Sequence, residues 1–463
     1  MRKILSDITA GDHARGLNLK RRRWSGIIGV CLAALVILVA VIAALLPGLL
    51  PAQPAFDQEA RKFAAATIFI ASYLALAVGK IPGLSIDRAG VALVGACLMV
   101  GSGVLPLAEA YKAVDLDTIT LLLGMMIVVA HLRLSGFFAL AISWILHRAH
   151  SPLILLVAIV GTSGIFSAFL VNDAICLVLA PLVLQITLRL GRNPVPYLLA
   201  VAMASNVGSV ATITGNPQNI LIGGFSRIPY ADFAKVLGPV ALAGMAITAV
   251  LIALFHRREF FSAGRLSAPT AIIRVNRPLV ARALAATAVM VALFFAGQPP
   301  AKAAILMGGL LLLTRRVKSR RVYADIDWSL LLMFAGLFII VAGAQRALLT
   351  PETIASVSRL QLGQVSVLSG ITAILSNLVS NVPAVLVLRP FVDPLPNSGV
   401  AWLTVAMAST LAGNFTILGS IANLIVVQKA AARGVDIRFW DYFCVGAPLT
   451  LVTLLLGTIW LSS

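Results

Sequence analysis

The sequence predicts an all-α polytopic membrane protein: about eleven transmembrane helices and two re-entrant helical hairpins, arranged as an inverted-topology repeat. Three observations lead there. Of 463 residues, 60% are apolar and only 11% charged, against about 45–50% and about 25% for a soluble domain. Apolar runs long enough to cross a bilayer recur along the whole chain. A set of polar residues in the first half returns in the second, 204 to 210 positions later. A mean hydropathy of +1.00 also excludes a single soluble core, which stops growing near about 250–300 residues.

The formal charge of +19 would suit a nucleic-acid partner. The Lys and Arg residues instead sit in short loops between apolar runs, without stacking aromatics or a basic recognition helix. No nucleic acid is expected; the basic loops read as topology signals. Cys31, Cys97, Cys176 and Cys444 are isolated within apolar stretches and lack metal-ligand spacing.

Residues 1–23 form a basic tail ending in Lys20-Arg21-Arg22-Arg23, followed by a 27-residue apolar run over 24–50. That run exceeds the ~7–15 residues of a signal-peptide core, so a retained helix is expected, with its loop reaching residue 62. Further crossings are expected near 63–80, 89–105, 117–147, 196–226, 232–255, 279–297, 301–315, 327–349, 399–432 and 440–461, with a cytoplasmic linker over 256–278. Segments 196–226 and 399–432 carry Gly, Asn and Thr in their middles and should be broken helices. Segments 152–190 and 363–395 are interrupted by Asn172-Asp173 and Ser380-Asn381-Val382-Pro383, and their halves look short for full crossings. They read as re-entrant hairpins, in which irregular backbone must face protein or a wet cavity.

With the N-terminus cytoplasmic, the inside segments hold 27 of the 36 Lys and Arg residues. The expected topology is N-terminus in, C-terminus out, in the cell (plasma or inner) membrane.

The repeat is carried by polar matches. Asn172 to Pro181 pairs with Asn381 to Pro390 at an offset of 209, and Val201-Ala-Met-Ala-Ser205 recurs letter for letter as Val405-Ala-Met-Ala-Ser409 at 204. In that second frame Thr212, Ile213, Gly215 and Asn219 fall on Thr416, Ile417, Gly419 and Asn423. Five crossings separate the copies, an odd number, so the second is inverted. The halves are expected at 63–255 and 279–463. An inverted repeat with paired broken helices points to a transporter whose site lies at the repeat interface.

Four polar knots should meet there: Asn172-Asp173, the segment holding Asn206 and Thr214 to Asn219, Ser380-Asn381, and Asn414 to Asn423. Half-helix N-termini suit an anion; free carbonyls and side-chain oxygens suit a small cation. The candidate binding residues are Asn172, Asp173, Asn206, Thr214, Gly215, Asn216, Asn219, Ser380, Asn381, Asn414, Thr416, Gly419, Ser420 and Asn423. Na⁺ sites are expected at Asn172, Asp173 and Gly215, and at Asn381 and Gly419. Asp173 alone brings a carboxylate to a hairpin, so it is the coupling candidate, with capping of its own helix as the structural reading. Arg389, His131 and Arg133 read as structural, as do the helix-starting Asp115, Asp117, Asp325 and Asp327.

At Val171-Asn-Asp-Ala174, Ser205-Asn-Val-Gly-Ser209, Thr214-Gly-Asn-Pro-Gln-Asn219, Ser380-Asn381 and Gly413-Asn-Phe-Thr-Ile-Leu-Gly-Ser-Ile-Ala-Asn423 the sequence resembles the ion transporter superfamily, in its arsenite permease/citrate-transporter-like branch of anion permeases. The resemblance covers about residues 63–461. It implies a scaffold domain, a transport domain holding both hairpins, elevator-like movement and a homodimer. Its sodium-coupled carboxylate members carry Ser-Asn-Thr at both hairpin tips. This chain has Val171-Asn172-Asp173 and Ser380-Asn381-Val382, which keeps both asparagines and shifts the expectation toward proton or cation coupling through Asp173.

The expected function is secondary transport of a small anion or oxyanion-type solute, arsenite- or carboxylate-like, coupled to Na⁺ or H⁺, with no other cofactor. A Na⁺/H⁺ antiporter of the same fold is the alternative. A membrane-embedded enzyme or a scaffold is remote, because no acid/base pair, metal cluster or Walker segment stands out.

Overall fold

The structure is a computed structural model, and it describes residues 54–78, 86–261, 275–314, 317–350, 356–357 and 359–463. The expected helix over 24–50, its basic tail and the middle of the 256–278 linker lie outside the described residues. All regular elements among the described residues are helical, and eight of these helices are long and apolar enough to cross a membrane.

Two packing units divide the chain: the residues up to Val114 together with the stretch from Leu332, and the rest. The first unit contains α1 (Pro54–Val78), α2 (Arg88–Gly101), α3 (Leu107–Ala113) and most of a later helix, Trp328–Leu348. Asp87 caps α2 by accepting from the Gly90 amide at 2.8 Å. Small residues let α2 approach the Trp328–Leu348 helix closely. A Cβ on Gly336 would fall 2.7 Å from the Ala92 carbonyl, and one on Gly95 would strike Ile340.

In the second unit, α4 (Leu116–Ser135) begins at Asp115, whose side chain accepts from the amides of Asp117 at 3.0 Å and Thr118 at 3.2 Å. The single crossing expected over 117–147 is divided. Gly136, at φ +84°, ends α4, and α5 (Phe137–Arg148) starts in a new direction. Glycine enters the left-handed region without a Cβ penalty, and the uninterrupted apolar pattern hid that corner.

Next come α6 (Pro152–Leu170) and α7 (Asn172–Arg189), packed side by side around Val171 at φ +62°. At 19 and 18 residues both arms are long and apolar enough to cross a membrane, where the sequence reading takes each half as short. The expected broken helix over 196–226 is α8 (Pro194–Ser209), a 3₁₀ turn (Ile213–Gly215) and α9 (Pro217–Ser226). The unit continues with α10 (Tyr230–Phe255), the short α11 (Arg257–Phe260), α12 (Arg277–Phe295), α13 (Pro300–Leu312) and α14 (Ser319–Tyr323). α12 and α13 pack on α4. Arg133 near the end of α4 is ion-paired with Asp325.

The helix α15 (Trp328–Leu348) opens with Asp327 accepting from the Leu330 amide at 3.0 Å. Then follow α16 (Val365–Val379) and α17 (Asn381–Val392), meeting at Ser380 with φ +79°. The second broken helix is α18 (Ser398–Ala412), a 3₁₀ turn (Ile417–Gly419) and α19 (Ile421–Ala431), and α20 (Phe439–Ser462) closes the chain. Non-glycine left-handed corners at Val171 and Ser380, 209 residues apart, each start a helix on an asparagine.

The core of this unit is α8, which is buried along nearly its whole length and packs on α6, α7, α10 and α19. Its closest approach is glycine on glycine: a Cβ at Gly208 would lie 2.3 Å from the backbone of Gly164. α18 is buried as completely and packs on α16, α17, α20 and α9. Prolines 239 and 448 lie inside α10 and α20, which pack together, and Trp460 Nε1 donates to the Val236 carbonyl at 2.8 Å, in the turn that Pro239 loosens.

Candidate functional site

The two 3₁₀ breaks are built by the same bonds. Asn219 Nδ2 donates to the carbonyls of Ser209 at 3.1 Å and Thr212 at 2.9 Å. Asn423 Nδ2 donates to the carbonyls of Gly413 at 2.7 Å and Thr416 at 3.1 Å. Every partner is displaced by 204 residues. One asparagine thus ties each unwound segment back onto the helix that precedes it, satisfying carbonyls that a helix would have bonded. Glycine fits the tight spots: a Cβ at Gly215 would lie 2.1 Å from the Ser209 carbonyl oxygen, and one at Gly419 2.9 Å from that of Gly413.

Asn206 joins the breaks. Its Nδ2 donates to Asn414 Oδ1 at 2.9 Å and Asn423 Oδ1 at 3.0 Å, and its Oδ1 accepts from Asn172 Nδ2 at 2.9 Å and Ser420 Oγ at 3.1 Å. Two donors and two lone pairs are all that an amide side chain offers, so Asn206 is saturated. Asn414 Nδ2 also donates to the Met203 carbonyl at 3.3 Å. At the position 204 residues on, Thr410 makes the reciprocal link. Its hydroxyl accepts from Asn216 Nδ2 and Gln218 Nε2, both at 3.1 Å, and donates to Asn219 Oδ1 at 3.5 Å.

Asp173 does not cap its own helix; Val171 holds that position without a side-chain bond. Its carboxylate reaches the Ala422 amide at the start of α19, with Asp327 the other charge acting on it. Helix starts favour a carboxylate, so Asp173 joins the α6–α7 corner to the second break. Asn381 lies at the same break, since a Cβ on Gly413 would meet its Nδ2 at 3.4 Å. Asn377 donates from Nδ2 to the carbonyls of Ala373 at 3.0 Å and Ala412 at 3.1 Å. The Oδ1 atoms of Asn172, Asn377 and Asn381 are buried and find no hydrogen-bond partner among the described residues.

Residues 73–412 match the citrate transporter family, which spans most of the chain. The chain belongs to the citrate transporter family. It is 31% identical over 427 residues to an uncharacterized transporter of Mycobacterium tuberculosis, covering 86% of this chain and 97% of that one. It is 28% identical over 450 residues to the silicon efflux transporter LSI3 of Oryza sativa subsp. japonica, covering 82% and 93%. The crystal structure of the Alcanivorax borkumensis YdaH transporter matches at a TM-score of 0.56 and 14% identity, covering 87% of this chain and 97% of that one; that likeness concerns the fold. The protein is therefore a multi-pass membrane transporter rather than an enzyme.

Within this citrate transporter family member the expected residues part into two groups. Asn172, Asn206, Asn414, Ser420 and Asn423 form one bonded cluster, with Asp173, Asn381, Gly413 and Gly419 beside it. Asn216 and Asn219 bond Thr410, and Asn216 also donates to Ser209 Oγ, which donates to the Asn206 carbonyl. Thr214 faces elsewhere: its hydroxyl bonds Tyr230 Oη at 2.7 Å and Thr212 Oγ1 at 3.3 Å, and Thr212 also donates to the Ala168 carbonyl. Thr416 contributes its carbonyl to Asn423. Ser380 supplies the left-handed corner before Asn381. Sequence reading missed Thr410, Ser209, Gln218 and Asn377. Arg389, expected as structural, pairs with Asp393 at 3.4 Å and stacks over Phe225 at 3.9 Å.

Proposed function

We propose that the protein is a secondary active transporter of a small anion or oxyanion-type solute, arsenite- or carboxylate-like, coupled to Na⁺ or H⁺. The two sequence halves would form an inverted repeat with α6–α7 and α16–α17 as re-entrant hairpins, and the hairpin-bearing part would move in an elevator-type cycle within a homodimer. The N-terminus would be cytoplasmic and the C-terminus outside, in the cell membrane, which the bias of Lys and Arg supports.

One observation carries the reading: two unwound helices are held against each other at their breaks by Asn206 and Thr410. A scaffold protein gains nothing from a pair of costly interruptions in buried helices, whereas a solute gains unpaired backbone groups to bind. The amides of Asn206, Asn219 and Asn423 are committed to that framework. Solute and ion contacts then fall to groups with spare capacity: Asn172, Asn377 and Asn381, backbone around Gly413–Ser420, and Asp173 as the coupling acid.

The test is a thermal-shift screen of the purified protein against arsenite, citrate, succinate, sulfate, phosphate, Na⁺ and Li⁺ at two pH values. Stabilisation by one of the oxyanions, strengthened by Na⁺ or by a pH change, supports the reading; no oxyanion response rejects it. The unpartnered amide oxygens also favour the antiporter, since acceptors without donors suit a small cation. A pH-gradient response to added Na⁺ with no anion present would select that reading.

A further inference from the structure

The end of α10 carries a feature that the site above does not use. α10 runs for 26 residues to Phe255, and His256-Arg257-Arg258 follow at once. A span of that length leaves the residues just beyond it at headgroup depth. There Asn193, Leu254, Phe255, His256, Arg257 and Arg258 line a cavity of about 470 Å³. Leu254 and Phe255 are 43% and 52% exposed, so an apolar lip borders two exposed guanidinium groups.

Neither guanidinium has an acidic partner among the described residues. Glu259, which also lines the cavity, is engaged by Arg192 at 3.1 Å and by the Tyr197 hydroxyl at 3.1 Å. Two unpaired cations beside an apolar lip complement a phospholipid, whose phosphate would meet the guanidinium groups while its first methylenes meet Leu254 and Phe255.

We propose that this corner binds the headgroup of an anionic phospholipid. The apolar lip and the position at the end of a membrane span select lipid over free phosphate. The corner is also fastened to α8. Arg192 donates to the Glu259 carbonyl at 3.2 Å, and Phe260 meets Tyr197 edge-on at 5.4 Å. α8 runs from this clamp to Asn206, so a lipid bound here steadies the helix that joins the two breaks.

The test uses the full chain purified in detergent, titrated with dioleoyl phosphatidylglycerol, dioleoyl phosphatidylcholine or inorganic phosphate. Native mass spectrometry and the unfolding midpoint are the readouts. Phosphatidylglycerol should appear as a discrete adduct and raise the midpoint, while phosphatidylcholine and phosphate should not. Arg257→Gln with Arg258→Gln should weaken phosphatidylglycerol about thirtyfold, roughly fivefold for each guanidinium. The corresponding lysine pair should keep most of the affinity. Arg320→Gln with Arg321→Gln, an exposed basic pair on α14, should change nothing. Equal effects of the two lipids on the wild-type chain, unchanged affinity in the glutamine pair, or full stabilisation by phosphate alone would each overturn the proposal. The wild-type comparison decides it even if the glutamine pair does not fold.

Discussion

Asn206 and Thr410 stand 204 residues apart and bind in the same way, each sitting on a buried helix, reaching the opposite break and filling its hydrogen-bonding capacity there. Asn206 binds Asn423 and Ser420, and Thr410 binds Asn219 and Asn216, which are the same two positions in the two halves. The breaks are therefore cross-linked twice, once in each direction.

Thr410→Val keeps the shape of the side chain and removes its hydroxyl. Gln218 Nε2 then loses its partner, and Asn216 and Asn219 each lose a bond. An unfolding measurement in detergent should show a loss of about 1–3 kcal/mol. Thr410→Ser should restore most of it. Equal behaviour of the two variants would show that the hydroxyl is not what holds the helices.

The glycine contact between α6 and α8 makes a sharper test of packing. Gly208→Ala places a methyl against backbone, which cannot rotate away, so a loss of about 1–3 kcal/mol or more is expected. Gly238→Ala on α10, where nothing lies within 4 Å of the added carbon, should change stability by less than about 0.5 kcal/mol. Thermal midpoints of the two variants measured side by side check the difference.

The side chain of Thr214 belongs to a hydroxyl chain rather than to the asparagine cluster. Tyr230→Phe and Thr214→Val should each cost about 1 kcal/mol. The double variant should cost less than their sum, because both remove the same 2.7 Å bond. Additive losses in a double-mutant cycle would show that the chain is not a unit.

Much of this site could be read from spacing. The offset of 204 that matched Thr212, Gly215 and Asn219 to Thr416, Gly419 and Asn423 reappears as matched hydrogen bonds. The same offset carries Asn206 to Thr410, so the signal for Thr410 was present. A lone threonine is common in membrane helices, so an Asn–Thr match carries little weight by itself. Ser209 falls on Gly413, where the shared group is a backbone carbonyl, and carbonyls leave no trace in a sequence. The corner at Gly136 was hidden for a related reason: apolar residues flank it on both sides, and the change of direction rests on one φ angle. Capping of its own helix is the structural reading of Asp173, and its approach to Ala422, about 250 residues away, leaves no local spacing to correct that reading.

Asp173→Asn keeps a polar side chain at the Ala422 amide and removes the charge. The variant should run as a folded protein in size exclusion and keep its thermal midpoint within a few degrees. Ion-coupled solute movement in reconstituted vesicles should be abolished. Coupled transport at the wild-type rate would reject the coupling role of this carboxylate.

The transport expectations depend on the two breaks forming a site joined through Asn206. The decisive measurement is uptake of labelled citrate or arsenite into proteoliposomes, with an imposed Na⁺ or proton gradient and without one. Gradient-dependent accumulation is expected for the wild-type protein and none for folded Asn206→Ala. Accumulation by that variant equal to the wild type would contradict the claim that the breaks must be joined through Asn206 for transport.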